Sequence, residues 1–336
     1  MKVTIIIPFY NPMPLFGELI DSFYRNMDEL TDYGSFEFVF INDGSLDNYA
    51  DVLDPFLEKY STAKIITQKN CGVASARNRG IKEAAGDYIW FVDADDIIDD
   101  HAFLSIQKAI MKEEVLPDIV FCNCKCFNDQ NGNYHLFNYK YSDYMNGINY
   151  IANEDDRSRI YNILFGKLKV NYAIWYQLFR REMLIENNIF FDSKLKTSED
   201  MDYKFMSLSC AGSIIGVDDC IYTYRLPNNL RKSLSKQEMS ARQIIILCDM
   251  YYKWYDKFNK MLDVVSTETE GYELMKKKFS LLVYSANKLL KKNTDSEAVK
   301  QYLLTNEERF ESVYKSNQNF LERVIEEMRN GNFSNI

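Results

Sequence analysis

The first hundred residues alternate between short apolar runs and amphipathic stretches. Val3 to Ile7 and Phe36 to Ile41 are apolar apart from Thr4 and Glu37, Tyr88 to Val92 is apolar throughout, and Lys64 to Thr67 encloses the shorter pair Ile65-Ile66. Runs of this length read as buried strands. Between them, Leu15 to Asn26, Asp47 to Tyr60 and Val73 to Ala85 carry apolar positions at helical spacing, and Asp118 to Cys122 predicts a further strand. Strand and helix in alternation imply parallel strands joined by right-handed crossovers, with helices on both faces of the sheet. From Asn128 to Asn149 the chain turns polar and rich in Tyr and Asn, which predicts exposed strands and loops. Ala173 to Glu186 reads as an amphipathic helix, and another begins at Ser198 and runs through Tyr203, Phe205, Met206 and Leu208. From Lys236 to Arg329 the pattern is helical throughout, with apolar groups such as Ile244–Leu247 and Phe279–Tyr284 set between charged faces. The expected organisation is an α/β region over 1–235 followed by an α-helical region over 236–336.

The polar clusters fall at the carboxyl ends of the predicted strands, where open α/β sheets bind ligands. They are Pro8-Phe9-Tyr10-Asn11, Asn42-Asp43-Gly44-Ser45, Gln68 to Gly72, and Asp93-Ala94-Asp95-Asp96. Carboxylates as close as those of the last cluster repel one another, and a divalent cation relieves the repulsion. Mg²⁺ or Mn²⁺ suits oxygen ligands and commonly shares its shell with water and a substrate diphosphate. Taken alone, an Asp-x-Asp is equally a solvated acidic turn. Asp43 can accept the N–H of a pyrimidine ring while Gly44 allows close backbone approach, although the same four residues also make an ordinary turn and helix cap. The small residues from Gly72 to Gly80 suit helix-to-sheet packing. Arg77 is not needed for that packing, and from the first turns of the helix it can reach either a diphosphate or the acidic cluster. The chain lacks a Gly-x-Gly-x-x-Gly after the first strand and a Gly-Lys-Ser/Thr phosphate loop, which disfavours dinucleotide oxidoreductases and ATPases.

Composition narrows the class further. The chain has 336 residues, 46% of them hydrophobic, enough for a large core. Its formal net charge of -9 argues against binding to a nucleic-acid backbone, so no nucleic-acid partner is expected. The opening Met1-Lys2-Val3 is too short a lead for a signal peptide, and no apolar stretch approaches membrane-spanning length. A cytoplasmic location is therefore expected. Seven cysteines, an odd number without framework spacing, fit free thiols, and Cys122, Cys124 and Cys126 alternate along a predicted strand without the two-residue loop of a zinc knuckle.

Taken in order, these clusters resemble the family 2 glycosyltransferases with the GT-A fold. The matching residues are Pro8 to Asn11, Asn42 to Ser45, Asn70 and Gly72 running into Ala76-Arg77-Asn78 and Gly80, Phe91 to Asp96, and Ser198-Glu199-Asp200. The resemblance covers about residues 1 to 235. It implies a mixed, Rossmann-like sheet flanked by helices, with a nucleotide-binding half over 1–100 and an acceptor-side half over 101–235. It further implies that Pro8, Tyr10, Asn11, Asp43, Asn70 and Arg77 line the uridine and diphosphate pocket, that Asp93 faces the ribose and sugar, and that Asp95 ligates Mn²⁺ or Mg²⁺. By the same resemblance Asp200 is the general base and Glu199 orients its neighbours or the acceptor. Arg231 stands in the segment that would cover the diphosphate, with Arg225 and Lys232 as other cations there. The family often has two aspartates before Gly-Ser, where this chain has Asn42 and Asp43. Trp175 is placed either over the sugar pocket or in the core.

The function implied is inverting transfer of a hexose or N-acetylhexosamine from a UDP-sugar to a hydroxyl of a glycan or lipid-linked acceptor, in bacterial cell-surface polysaccharide synthesis. Two alternatives remain, a nucleotidyltransferase acting on sugar phosphates and a catalytically silent nucleotide-sugar-binding protein. A helix start lowers carboxylate pKa values, which predicts an Asp200 that stays ionised at neutral pH, ready to accept a proton though somewhat weaker as a base. In the helical tail, Lys276-Lys277-Lys278 and Lys291-Lys292 read as a solvated face or as a peripheral contact with anionic lipid on the inner face of the membrane, and the apolar stripe offers self-association.

Overall fold

The computed structural model describes residues 1–30, 35–226, 239–292 and 296–329. Its strands are β1 (Val3–Phe9), β2 (Phe36–Asn42), β3 (Ala63–Thr67), β4 (Tyr88–Phe91), β5 (Ile97–Ile98), β6 (Ile119–Asn128), β7 (Asn133–Phe137), β8 (Asn149–Tyr150), β9 (Gln177–Arg180) and β10 (Ser213–Arg225). The helices up to the end of the sheet region are α1 (Phe16–Asp28), α2 (Ala50–Lys59), α3 (Val73–Glu83), α4 (Ala102–Met111), α5 (Glu154–Tyr161), α6 (Arg181–Glu186) and α7 (Glu199–Cys210). They are followed by α8 (Ala241–Met261), α9 (Glu270–Lys291), α10 (Glu297–Thr305), α11 (Glu307–Ser316) and α12 (Gln318–Arg329).

One mixed sheet runs in the order β3-β2-β1-β4-β9-β6-β10-β5, with β7 added beside β6 and β8 beside β10. The strands β3, β2, β1 and β4 are parallel, and every residue of β1, β2 and β4 is buried, as expected of strands covered on both faces. Helix α3 lies so close to β1 that a Cβ on Gly80 would stand 2.3 Å from Ile6 Cγ2. That glycine is therefore a packing residue, whatever else the helix does.

Beyond β4 the expected pattern breaks. The amphipathic helix predicted for Ala173 to Glu186 is instead β9 followed by the short α6. Strand β9 enters antiparallel between β4 and β6, pairing Ile89 with Phe179 and Val120 with Leu178. Leu178 and Phe179 are both fully buried, on opposite sheet faces, and a short run buried on both sides has no periodicity to separate strand from helix.

The chain divides into two compact units, one of Met1–Ile151, Val170–Ser193 and Ser198–Ser235, the other of Ala152–Lys169, Lys194–Thr197 and Lys236–Ile336. The first contains the whole sheet. The second is helical, and residues 152–169, expected in the acceptor-side half, belong to it. Tyr161 on α5 packs edge-on against Phe258 and Tyr272, at 5.7 and 5.5 Å between ring centroids. Gly271 lets the two backbones meet, since a Cβ there would lie 1.9 Å from the Ser158 carbonyl oxygen. Helix α8 opens with a reciprocal cap in which Ser240 N–H donates to Gln243 Oε1 at 2.8 Å. No helix among the described residues is long and apolar enough to cross a membrane.

Candidate active site

Three of the four strand-end loops are tied to one another by backbone and side-chain hydrogen bonds. Asp43 N–H donates to the Phe9 carbonyl at 2.8 Å, joining the loops after β1 and β2. Asn11, at φ 48°, adds a second tie: its N–H donates to Ser45 Oγ and its side-chain oxygen accepts from Leu46 N–H. The buried Asp43 carboxylate then grips the loop after β3. It accepts from Gln68 Nε2 at 2.8 Å, Cys71 N–H at 2.9 Å and Gly72 N–H at 2.8 Å. Gly72 sits at φ 88° immediately before α3, a conformation that disfavours a side chain. Asp43 thus aims the start of α3. Around it, Pro8 is buried in β1, Tyr10 is about half exposed and Asn70 is exposed.

The acidic residues meet on Arg77. One turn into α3 its guanidinium, only 4% exposed, donates from Nη2 to Asp93 at 2.9 Å. Its Nη1 donates to Asp200 at 2.5 Å and to Glu199 at 3.3 Å. Of the two targets that the sequence left open for Arg77, the structure supplies the acidic one. The guanidinium lies over Phe191, 5.2 Å from the ring centroid. Phe191 stacks in turn on Tyr203 at 4.0 Å, and Asn78 exchanges two hydrogen bonds with the Phe191 backbone. A residue on α3, one after β4 and two at the start of α7 are thereby held in one cluster. Sequence reasoning missed Phe191, for nothing sets it apart from the other 21 phenylalanines of the chain's 22.

Electrostatics in the cluster run against the simple helix-dipole expectation. Burial pushes the Asp200 carboxyl up more than the Arg77 guanidinium pulls it down, and Glu199 and Asp93 push the same way. The result is about 7, above the lowered value that the helix start alone predicts. Burial disfavours the Arg77 cation, but Asp200, Asp93 and Glu199 together raise its pKa. Ser198, at the position that caps α7, takes a left-handed φ of 63° in place of the extended conformation usual for a capping serine, and its side chain makes no capping hydrogen bond.

The remaining acids and bases sort by contact. Asp96 is wholly buried and accepts from the Tyr222 hydroxyl at 2.6 Å and Arg225 N–H at 2.8 Å, so it fastens β10 to the acidic loop. Arg225 spends both Nη groups on Glu18 and Asp129. Arg231 and Lys232 lie outside the described residues. Trp175 is 7% exposed and stacked against Tyr222 and Tyr224, which assigns it to the core. Asp95 is half-buried beside Asp93. Among the described residues no three His, Cys, Asp or Glu side chains form a ready-made metal cage. A Mg²⁺-type site does not require one, because one or two carboxylates with substrate phosphates and water complete its shell. All seven cysteines are free.

Residues 4–186, more than half of the chain, match the family model of glycosyl transferase family 2, and the chain belongs to that family. The match ends before α7, so Glu199 and Asp200 stand beyond it. Among similar proteins, the uncharacterized glycosyltransferase EpsJ of Bacillus subtilis is 28% identical over 70% of this chain. The chain spans 65% of that relative's length. A poly(ribitol-phosphate) beta-glucosyltransferase of Bacillus spizizenii is 29% identical over 67% of this chain and 32% of its own. Staphylococcus aureus TarS 1–349, solved in complex with UDP-GlcNAc, superposes with a TM-score of 0.66 at 18% identity, covering 99% of this chain and 93% of that one. The likeness to TarS is one of fold, and the fold is the GT-A type with C-terminal helices.

Proposed function

We propose that this chain is an inverting glycosyltransferase that moves a hexose or N-acetylhexosamine from a UDP-sugar to a hydroxyl of a glycan or lipid-linked acceptor. The observation that carries the reading is the Arg77 cluster, in which one guanidinium joins the carboxylate expected to face the sugar, Asp93, to the one expected to act as base, Asp200. Family membership supports sugar transfer, and the nucleotide sugar named for TarS supports the choice of a UDP donor. The relative that glucosylates poly(ribitol phosphate) supports a cell-surface polymer as acceptor.

In this mechanism Asp200 takes the proton of the acceptor hydroxyl as the acceptor oxygen bonds to the anomeric carbon and the bond from that carbon to the UDP oxygen breaks. The configuration inverts in a single displacement. Glu199 and Arg77 hold Asp200 in place, and the loop of Gln68 to Gly72, set by Asp43, receives the uridine end. Asp95 would hold Mn²⁺ or Mg²⁺ against the diphosphate, where the ion offsets negative charge on the leaving group. A raised Asp200 pKa suits a base that works near neutral pH. Screening a panel of nucleotide sugars for Mn²⁺-dependent release of free nucleotide tests the reading: UDP released from one or a few UDP-sugars supports it, and no release from any sugar nucleotide contradicts it.

A further inference from the structure

Below the carboxylates, α7 carries a lysine that no motif marks. Lys204 follows Asp200 by four residues and is wholly buried. Helical side chains lean toward the helix N-terminus, so a residue four positions on underlies the turn that carries the first. Its Nζ donates to the carbonyls of Asn171 at 2.7 Å and Ala173 at 3.4 Å, and to the Tyr176 hydroxyl at 2.9 Å. The same Nζ lies 5.2 Å from the Phe121 ring centroid and 4.9 Å from that of Tyr176. Burial lowers its pKa well below that of an ordinary lysine, against the opposing pull of Cys124 and Asp200. An apolar side chain of similar size generally fills such a position at lower cost, so stability alone does not account for an amine there.

What Lys204 grips leads back to the acidic loop. Residues 171–176 include Trp175, whose carbonyl accepts from Trp90 Nε1 at 2.6 Å. The Trp175 indole stacks on Tyr222 at 4.7 Å with 18° between planes. The Tyr222 hydroxyl accepts from Asp93 N–H at 3.1 Å and donates to Asp96. A continuous chain of contacts therefore passes from the helix of Asp200, through Lys204, the 171–176 turn, Trp175 and Tyr222, to the backbone of Asp93. Arg77 spans the same two elements through the carboxylates themselves. Two braces set between one pair of elements resist tilting, which a single brace does not.

We propose that Lys204 is a positioning residue for sugar transfer, clamping the 171–176 turn to α7 so that Asp200 keeps a fixed placement relative to Asp93. The inference rests on the assignment of Asp200 as the base. Lys204 touches neither donor nor acceptor in this scheme. Its effect is on alignment, and a displacement of about 1 Å at a reacting group can cost on the order of a hundredfold in rate.

The test compares Lys204→Met, Lys204→Gln and Asp200→Asn in steady-state transfer, with UDP affinity and thermal melting recorded on each. Lys204→Met should lower kcat by roughly ten- to a hundredfold while donor KM and UDP affinity stay within about twofold. Lys204→Gln, which keeps N–H donors for the turn carbonyls, should recover part of the loss. A purely structural lysine would lower the melting temperature and leave kcat per folded molecule unchanged, and that result overturns the proposal. If Lys204→Met does not fold, Lys204→Leu, which also removes the donors, carries the test, and wild-type kcat in that folded variant overturns it equally. Should Asp200→Asn retain turnover, the base assignment fails. Should it be inactive while folded Lys204→Met turns over normally, the assignment stands and the positioning role alone falls.

Discussion

Arg77 Nη1 donates to Asp200 Oδ1 at 2.5 Å, across 123 positions of sequence. The contact fixes the first turn of α7 against α3, and with the Asp93 contact it gathers the acidic groups of the site around one cation. Burial nevertheless outweighs that cation at Asp200, and the carboxyl sits near 7.

The pH profile should follow. A base must be ionised to accept a proton, so a raised pKa moves the loss of activity on the acid side upward. Transfer measured as kcat/KM should rise with pH and reach half its maximum near 7, as set by Asp200 in the free enzyme. An ordinary exposed aspartate would place that limb near pH 4, three units lower. The check is a profile of kcat/KM from about pH 5 to 9.

Arg77→Met removes the charge and the hydrogen bond by which Arg77 lowers the Asp200 pKa and leaves burial, Glu199 and Asp93 to raise it. The acid limb should therefore move above 7. With three carboxylates deprived of their partner, folding stability should fall by about 3–5 kcal/mol, as when one member of a buried charge pair is deleted. Denaturant titration and the pH profile of the same variant read the two effects separately.

Much of the fold was legible in the chain because β1, β2 and β4 are buried on both faces and end in polar clusters at one sheet edge. The grouping of Asp43 with the Gln68–Gly72 loop and of Arg77 with Asp93 follows from that edge. What was not legible depended on partners distant in sequence. Leu178 and Phe179 form a central strand only because β4 and β6 flank them. Residues 152–169 pack against partners about a hundred residues later, Phe258, Gly271 and Tyr272. The Asp200 pKa is set by burial, which overrides the helix-start effect visible in the sequence. Lys204, by its type, predicts an exposed position, and its burial comes from the 171–176 turn closing over it.

Asp43→Asn places an amide N–H among the loop donors that the carboxylate accepts, at Gln68, Cys71 and Gly72. At least one of those hydrogen bonds must be lost. Losing a charge-assisted bond of about 1.5–3 kcal/mol, the loop proposed to receive the uridine should loosen, and UDP affinity should weaken about tenfold or more. Calorimetric titration of UDP into wild type and variant measures it. An unchanged affinity would confine Asp43 to a role outside the nucleotide site.

Asp95→Ala should abolish the part of UDP binding that depends on metal. Titrations with and without Mn²⁺ should differ in wild type and coincide in the variant. The metal-independent part, set by the loops after β1 to β3, should persist in both.

The most direct test of the account is Asp200→Asn, assayed for transfer and for donor binding on the same preparation. The amide is nearly the shape of the carboxylate but cannot take up the acceptor proton, so UDP-sugar affinity should stay within a few-fold of wild type while transfer falls by about 10³ or more. Turnover close to wild type in that variant would contradict the assignment of Asp200 as the base on which the proposed mechanism depends.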